Sequence, residues 1–179
     1  MSSTLLSRGF LWLILVQGFH FLEHCVQVAQ RFWLNDPNGN GLLGSLANVE
    51  LVHFGYNSFF LLGLVWLFFQ LSLATDPVWA HNRWVLFLVG AAVAVQSYHE
   101  MEHVLRLGQA IGWLPVPPSA DLTATDPPGL LGRWVNDVLL HWVLNGIVEA
   151  LPVAAFVAGH FQSLLNASKQ RVNLVTVAR

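Results

Sequence analysis

Four long apolar segments constrain this chain more than any other feature of its sequence. A helix needs roughly 20 residues to cross a hydrocarbon core of about 30 Å, and each segment reaches that length. Turn-forming Asn-Gly, Asp-Pro and Pro-Pro steps separate the segments. The sequence therefore predicts an all-α integral membrane protein, a bundle of four transmembrane helices in a single membrane domain over residues 1–179. The predicted spans are Gly9 to Trp33, Leu46 to Leu71, Trp84 to Gly108 and Val138 to Phe161.

Composition points to the same class. Hydrophobic residues make up 55% of the chain and charged residues only 10%, and the mean hydropathy of +0.54 lies above the usual range of soluble domains. A net charge of −2 gives no reason to expect a nucleic acid. The expected partner is the lipid bilayer, while the oligomeric state is left open.

Basic residues predict the orientation of the chain in the membrane. The positive-inside rule favours cytoplasmic termini, and we interpret the membrane as a bacterial inner membrane. Arg8, Arg83, Lys169, Arg171 and Arg179 lie on the predicted cytoplasmic side, against Arg31, Arg106 and Arg133 on the other side.

The sequence contains an internal repeat of its polar residues. The stretch V-Q-G-F-H-F-L-E-H, which begins at Val16, shares five of nine residues with V-Q-S-Y-H-E-M-E-H, which begins at Val95. Residues 41–57 share eight of seventeen with residues 129–145, in the pattern G-L-L-G-x-x-x-N-x-x-L-x-H-x-x-x-N. The chain therefore reads as two related halves.

Each half is predicted to be a helical hairpin. The first repeat covers residues 9–71, the second covers 84–161, and a polar C-terminal tail follows over 162–179. Because each hairpin has an even number of spans, both enter the membrane in the same orientation. Their pseudo-twofold axis is then expected to run along the membrane normal, as in a parallel internal repeat.

Histidines and glutamates share one helix face in each half. His20, Glu23 and His24 are three or four residues apart and point together, and the second half repeats this spacing. A rise of 1.5 Å per residue places His20 and His24 roughly 17 to 24 Å along the first span, and His53 roughly 10 Å into a second span that enters from the opposite side. Both hairpins therefore bring their imidazoles to one layer in the outer half of the membrane.

This layer is predicted to hold two metal ions. A charge inside a spanning helix costs about 2.5 to 3.5 kcal/mol on insertion scales, and bound cations would offset that cost. Helix bundles build di-metal centres from inward-pointing carboxylates and histidines. The predicted ligands are His20, Glu23, His24, His53, His99, Glu102, His103 and His141.

Further polar residues are predicted around the ligands. Gln17, Asn57, Gln96 and Asn145 are expected to hydrogen-bond the second nitrogen of a ligating ring, or to serve as lesser ligands. Glu50 and Asp137 break the repeat, because they align with Val138 and Val49. They are the candidate catalytic acid or base on the substrate side.

Arg106 also breaks the repeat, since it aligns with Gln27. It is expected to pair with a nearby carboxylate.

Mixed imidazole and carboxylate donors suit iron, zinc or copper. Iron is preferred here, and copper handling by soft ligands is disfavoured because the chain has two methionines and one cysteine. The H-x-x-E-H motif that begins at His20 is somewhat similar to the clustered histidine boxes of membrane desaturases and alkane hydroxylases. Those chains are larger and have other spacings, so no membership follows.

The leading hypothesis is a membrane-embedded di-metal oxidoreductase. Its expected substrate is apolar, lipid-like or a quinone, with a membrane electron donor. A di-zinc hydrolase that uses metal-bound hydroxide is a chemical variant. The alternatives are a b-type cytochrome subunit, in which haem b would use two of the six imidazoles, and a protein of metal-ion transport or sensing.

Overall fold

The structure, a computed structural model, describes residues 3–36, 39–43, 50–75, 79, 82–120 and 127–177, with side chains for those between 4 and 161. Its regular elements are four long helices and one short 3₁₀ turn at Leu131–Arg133. The all-α prediction is confirmed for these residues. The helices are α1 (Ser3–Phe32), α2 (Glu50–Ser72), α3 (Arg83–Ala110) and α4 (Asp137–Val177).

Helix boundaries follow local signals in the sequence. The side chain of Asn82 caps α3 by accepting the backbone N–H of Val85 at 3.2 Å, and Asn136 accepts that of Leu139 at 3.2 Å before α4. Residues 46–49, at the start of the second predicted span, lie outside the described residues. The backbone of the predicted tail is helical as far as Val177, as a continuation of α4.

Three helices are long and apolar enough to cross a membrane. They are Thr4–Phe32 in α1, α2 over its whole length, and Asp137–Phe161 in α4. Helix α3 is not among them, because its apolar segment gives way to polar residues from Gln96 onward.

The helices form a closed ring. Each packs against its neighbours in the chain, and α4 packs against α1; the contact between α1 and α2 is the least extensive of the four. The apolar core fills the half of the ring that contains Phe10, Leu64, Val89 and Ala155, all fully buried.

One buried stripe of α1 illustrates the division of the bundle into two halves. At a spacing of three to four residues the stripe is first apolar and then polar, and all of its members are at most 9% exposed. In chain order these residues are Leu6, Phe10, Leu13, Gln17, His20, His24 and Gln27. The same helix face that supplies the core therefore supplies the candidate site.

Candidate metal centre

Six buried histidines lie in one layer across the polar half of the bundle. His20, His24 and His53, from α1 and α2, form the first trio; His99, His103 and His141, from α3 and α4, form the second trio. Within each trio, one ring nitrogen from every histidine lies within 4.8 Å of the others.

The two histidines that share one helix are spaced alike in both trios. The Nε2 atoms of His20 and His24 are 3.2 Å apart, and those of His99 and His103 are also 3.2 Å apart. The corresponding ring centroids are separated by 4.7 Å in the first trio and 4.8 Å in the second.

The trios also contact each other. The rings of His24 and His141 have centroids 5.9 Å apart, and those of His53 and His103 are 5.8 Å apart. Both pairs stack at small interplanar angles, 22° and 13°. The six rings therefore form a continuous layer rather than two isolated groups.

The donor atoms fit metal ions. With a metal–nitrogen bond of about 2.1 Å, two Nε2 atoms 3.2 Å apart subtend an angle of about 100° at the ion, close to tetrahedral. Ligands of a tetrahedral ion lie about 3.4 Å apart, so a third donor within 4.8 Å has to move by about 1 Å.

Hydrogen bonds behind three rings fix which nitrogen faces the layer. The Nδ1 atoms of His24 and His103 each lie 2.7 Å from an acceptor oxygen, on Gln27 and Glu50 respectively. The Nδ1 of His141 lies 3.0 Å from the backbone oxygen of Asp137. Because these oxygens only accept, Nδ1–H is the donor in each ring. The Nε2 lone pairs of His24 and His103 are left for a ligand, whereas Nε2 of His141 lies 3.5 Å from Nη1 of Arg106.

His99 supplies an independent sign of an unfilled interaction. Its side chain is fully buried, and its Nδ1 has no hydrogen-bond partner among the described residues. Buried polar atoms are normally paired, so this nitrogen points to a partner other than the described residues.

Glu50 and Asp137, the predicted catalytic residues, lie behind the second trio. Arg106 donates from Nε to Oε2 of Glu50 at 2.9 Å and from Nη1 to Oδ1 of Asp137. The expectation that Arg106 pairs with a carboxylate is confirmed. Both acids thus contact second-trio rings and a buried guanidinium, and their predicted contact with substrate is not tested.

Glu23 and Glu102, predicted as ligands, are not members of either trio and bind loop backbone. Glu23 accepts the backbone N–H groups of Leu42 at 2.9 Å and Leu43 at 3.1 Å. Glu102 accepts those of Leu130 at 2.6 Å and Leu131 at 2.9 Å. Each carboxylate therefore anchors the loop that leads towards the next helix.

Glycines allow this anchoring. Gly41 and Gly129 have positive φ angles of 74° and 64°, which favour glycine. A Cβ atom at either position would overlap the carboxylate of Glu23 or Glu102. The first glycine of the shared G-L-L-G pattern thus reflects the close approach of a loop to a buried acid.

The four amide side chains predicted to hydrogen-bond ring nitrogens form hydrogen bonds with one another and with the backbone. Gln17 donates from Nε2 to Oδ1 of Asn145 at 2.9 Å, and Gln96 donates to Oδ1 of Asn57 at 2.9 Å. Each asparagine donates to the backbone oxygen of the histidine four residues before it, at 2.9 Å. The amides tie helices of different predicted hairpins together directly below the histidine layer.

Sequence reasoning missed three glutamines that contribute to the site. Gln27 hydrogen-bonds His24, and its spacing of three residues from that ring was an available signal. Gln30 brackets Gly41 with two hydrogen bonds, of 2.7 Å and 3.2 Å, and Gln109 brackets Gly129 at 3.0 Å and 3.3 Å. The two glutamines align in the repeat, which would have identified them.

No known protein family, curated protein or solved structure matches this chain.

Proposed function

We propose that this chain is a membrane-embedded protein that binds two metal ions, one in each trio, and acts as an oxidoreductase on an apolar, lipid-like or quinone substrate. One observation carries the proposal: two buried histidine trios, each with a pair of Nε2 atoms 3.2 Å apart. A membrane electron donor belongs to the same proposal.

The proposed architecture is a four-span bundle of two tandem hairpins with a pseudo-twofold axis along the membrane normal. Its support is the pairing of equivalent contacts, such as Gln17 with Asn145 and Gln96 with Asn57. Helix α3 is the proposed fourth span, because it packs between α2 and α4 and buries its polar residues inside the ring. Cytoplasmic termini in a bacterial inner membrane rest on the distribution of basic residues.

A metal explains the histidine layer better than a purely structural role does. When Nδ1 of His24 and His103 donates to Gln27 and Glu50, the Nε2 atoms of these rings are acceptors. A neighbouring imidazole can donate one hydrogen bond to each, but the buried Nδ1 of His99 still has no partner among the described residues. A cation accepts lone pairs from all the rings that surround it.

Iron is the proposed metal, with zinc or copper as its competitors. Three imidazoles per ion leave coordination positions open, which is the arrangement of catalytic rather than structural sites. When bound, such an ion supplies Lewis-acid or one-electron chemistry. The residues of the chain hold it, orient the rings through Gln27, Glu50 and Asp137, and exclude bulk water with the apolar half of the bundle.

The close packing of the rings speaks against haem b. A bis-histidine haem needs a porphyrin between two opposed imidazoles. The closest imidazole pair in each trio instead comes from a single helix, with Nε2 atoms 3.2 Å apart, so these two rings cannot face a porphyrin from opposite sides. An absorbance spectrum separates the two cofactors, because haem gives an intense Soret band.

Elemental analysis of gently purified protein tests the proposal. We expect two metal ions per chain, about one after His24→Ala and about one after His103→Ala. His160→Ala is the matched control, because that histidine lies against Trp79 and Phe156, outside the layer, and its variant should keep both ions. Unchanged stoichiometry in the first two variants, or a wild-type protein without metal, would refute the proposal.

A further inference from the structure

A small pocket opens beside the first trio, between α1 and α2. Its volume is about 90 Å³. Two ligand candidates, His20 and His53, form part of its wall. The full lining is Phe19, His20, Glu23, Gln27, Leu43, Val52, His53 and Tyr56.

The rim and the floor of the pocket differ in polarity. Phe19, Leu43 and Val52 are apolar and are 52%, 52% and 49% exposed, so they form the rim. His20 and His53 are at most 9% exposed and lie deeper. The pocket thus connects the apolar surroundings of the bundle with two rings of the first trio.

Tyr56 forms the wall behind His20. Its ring stacks on that imidazole with centroids 4.2 Å apart, and its hydroxyl donates to the backbone oxygen of Val16 at 2.6 Å. A tyrosine held at both ends fixes the orientation of the His20 ring at the edge of the pocket.

In the second half, buried leucines occupy the positions that align with Val52 and Tyr56. Leu140, which aligns with Val52, is only 7% exposed. Leu144 aligns with Tyr56 and is 9% exposed. Both side chains are therefore packed where the first half has a rim and a wall.

Different side chains also stand at two further positions that align with the pocket lining. Tyr98, which aligns with Phe19, donates its hydroxyl hydrogen to Oε1 of Glu102 at 2.5 Å. Arg106, which aligns with Gln27, brings Nη1 to 3.5 Å from Nε2 of His141. The guanidinium therefore occupies the position that aligns with Gln27, which lines the pocket of the first half.

The size and chemistry of the pocket restrict what can enter. A single water needs about 10–15 Å³ and benzene occupies a cavity of about 150 Å³, so a space of about 90 Å³ suits a very small molecule. A lipid-like substrate does not fit inside. The apolar rim and the Glu23 carboxylate disfavour anions.

We infer that the ion of the first trio binds a neutral diatomic molecule, of the class of dioxygen and nitric oxide, through this pocket, whereas the second trio is closed to such ligands. This inference rests on the proposed metal-binding function. It makes the two ions unequal: the first trio exchanges ligands, and the second trio does not.

Nitric oxide bound to the ferrous protein tests the inference. The full chain is loaded with Fe(II) without oxygen, its iron is counted, and bound nitric oxide is then titrated by electron paramagnetic resonance. We expect one nitric oxide for every two irons. Val52→Trp, which fills the rim, should raise the apparent Kd by about tenfold or more, equivalent to about 1.4 kcal/mol, at unchanged iron content.

Leu51→Trp is the matched control on the same helix. Leu51 precedes Val52, is 61% exposed and does not line the pocket, so its variant should bind nitric oxide like the wild type. If Val52→Trp loses iron through misfolding, Phe19→Trp blocks the same rim from α1 and takes its place.

The possible failures are distinguishable. A protein with two irons that binds two nitric oxide molecules, or whose binding is insensitive to both rim variants, overturns the inference and leaves the metal centre intact. A protein that retains no iron overturns the proposed function, and this inference with it.

Discussion

The first and second trios present the same three histidines to the layer, but the residues behind the rings differ. Behind His24 lies the neutral amide of Gln27, whereas His103 hydrogen-bonds Glu50, which in turn pairs with Arg106. The second trio therefore lies in a field of buried charges, and the first trio lies beside a pocket. Two copies of one ligand set can thus take different roles through their neighbours alone.

Arg106→Gln is expected to have the largest effect on this comparison. It places in the second half the glutamine that the first half has at the aligned position, Gln27. Glu50 and Asp137 lose their guanidinium while they remain buried, with side chains only 10% and 20% exposed. We expect the free energy of unfolding to fall by about 3 to 5 kcal/mol, measured by denaturant unfolding in detergent at constant metal occupancy.

Gln27→Ala is the control for this comparison at the aligned position. It removes a neutral hydrogen-bonding partner and should cost only about 1 kcal/mol. Replacement of Glu50 and Asp137 by valine in the Arg106→Gln background should recover much of the loss. Equal costs for Arg106→Gln and Gln27→Ala would show that the charged network does not distinguish the two trios.

Glu23→Gln and Glu102→Gln test a feature in which the two halves agree. Each carboxylate accepts two backbone N–H groups from a loop, whereas glutamine has one side-chain oxygen. The free energy of unfolding should fall by about 1 to 3 kcal/mol in each variant, and the two decreases should be similar.

Metal content provides the second readout for these variants. As loop anchors, Glu23 and Glu102 are expected to leave the number of bound ions unchanged on substitution. A loss of one ion in either variant would instead assign that carboxylate to the metal, as the sequence predicts.

Cys25→Val is expected to have the smallest effect. It compares the two halves at an aligned position at the edge of the histidine layer. Val104 is the aligned residue, and the Cys25 sulfur accepts the indole N–H of Trp142 at 3.3 Å on an exposed surface. Unfolding free energy should change by no more than about 0.5 kcal/mol, and both ions should remain. Loss of an ion would add a thiolate to the first trio.

Much of the candidate site was predictable because helix periodicity is local. A spacing of three to four residues places Gln17, His20 and His24 on one face of α1 whatever surrounds that helix. The internal repeat then predicts an equivalent face on α3. For this reason the sequence identified all six histidines of the two trios.

The partners of the polar side chains were not predictable in the same way. Sequence spacing suggested that Glu23 joins the histidines on its helix, yet both of its oxygens bind backbone N–H groups of a loop. It also assigned Gln17 to a ring nitrogen, whereas Gln17 contacts Asn145 on α4. A side chain near the edge of a helix face can reach either neighbour, and local spacing does not say which one is closer.

The sequence by itself determined the long apolar helices, the polar stripe on each of them and the doubled histidine pattern, because hydropathy and helical period act within single segments. The tertiary structure decided which acids bind loops, which bind rings, and that a pocket opens beside the first trio. These outcomes depend on how far each helix is rotated and how closely it packs against its neighbours. Residues far apart in the chain, such as Val52, Leu140 and Arg106, jointly determine this rotation and packing.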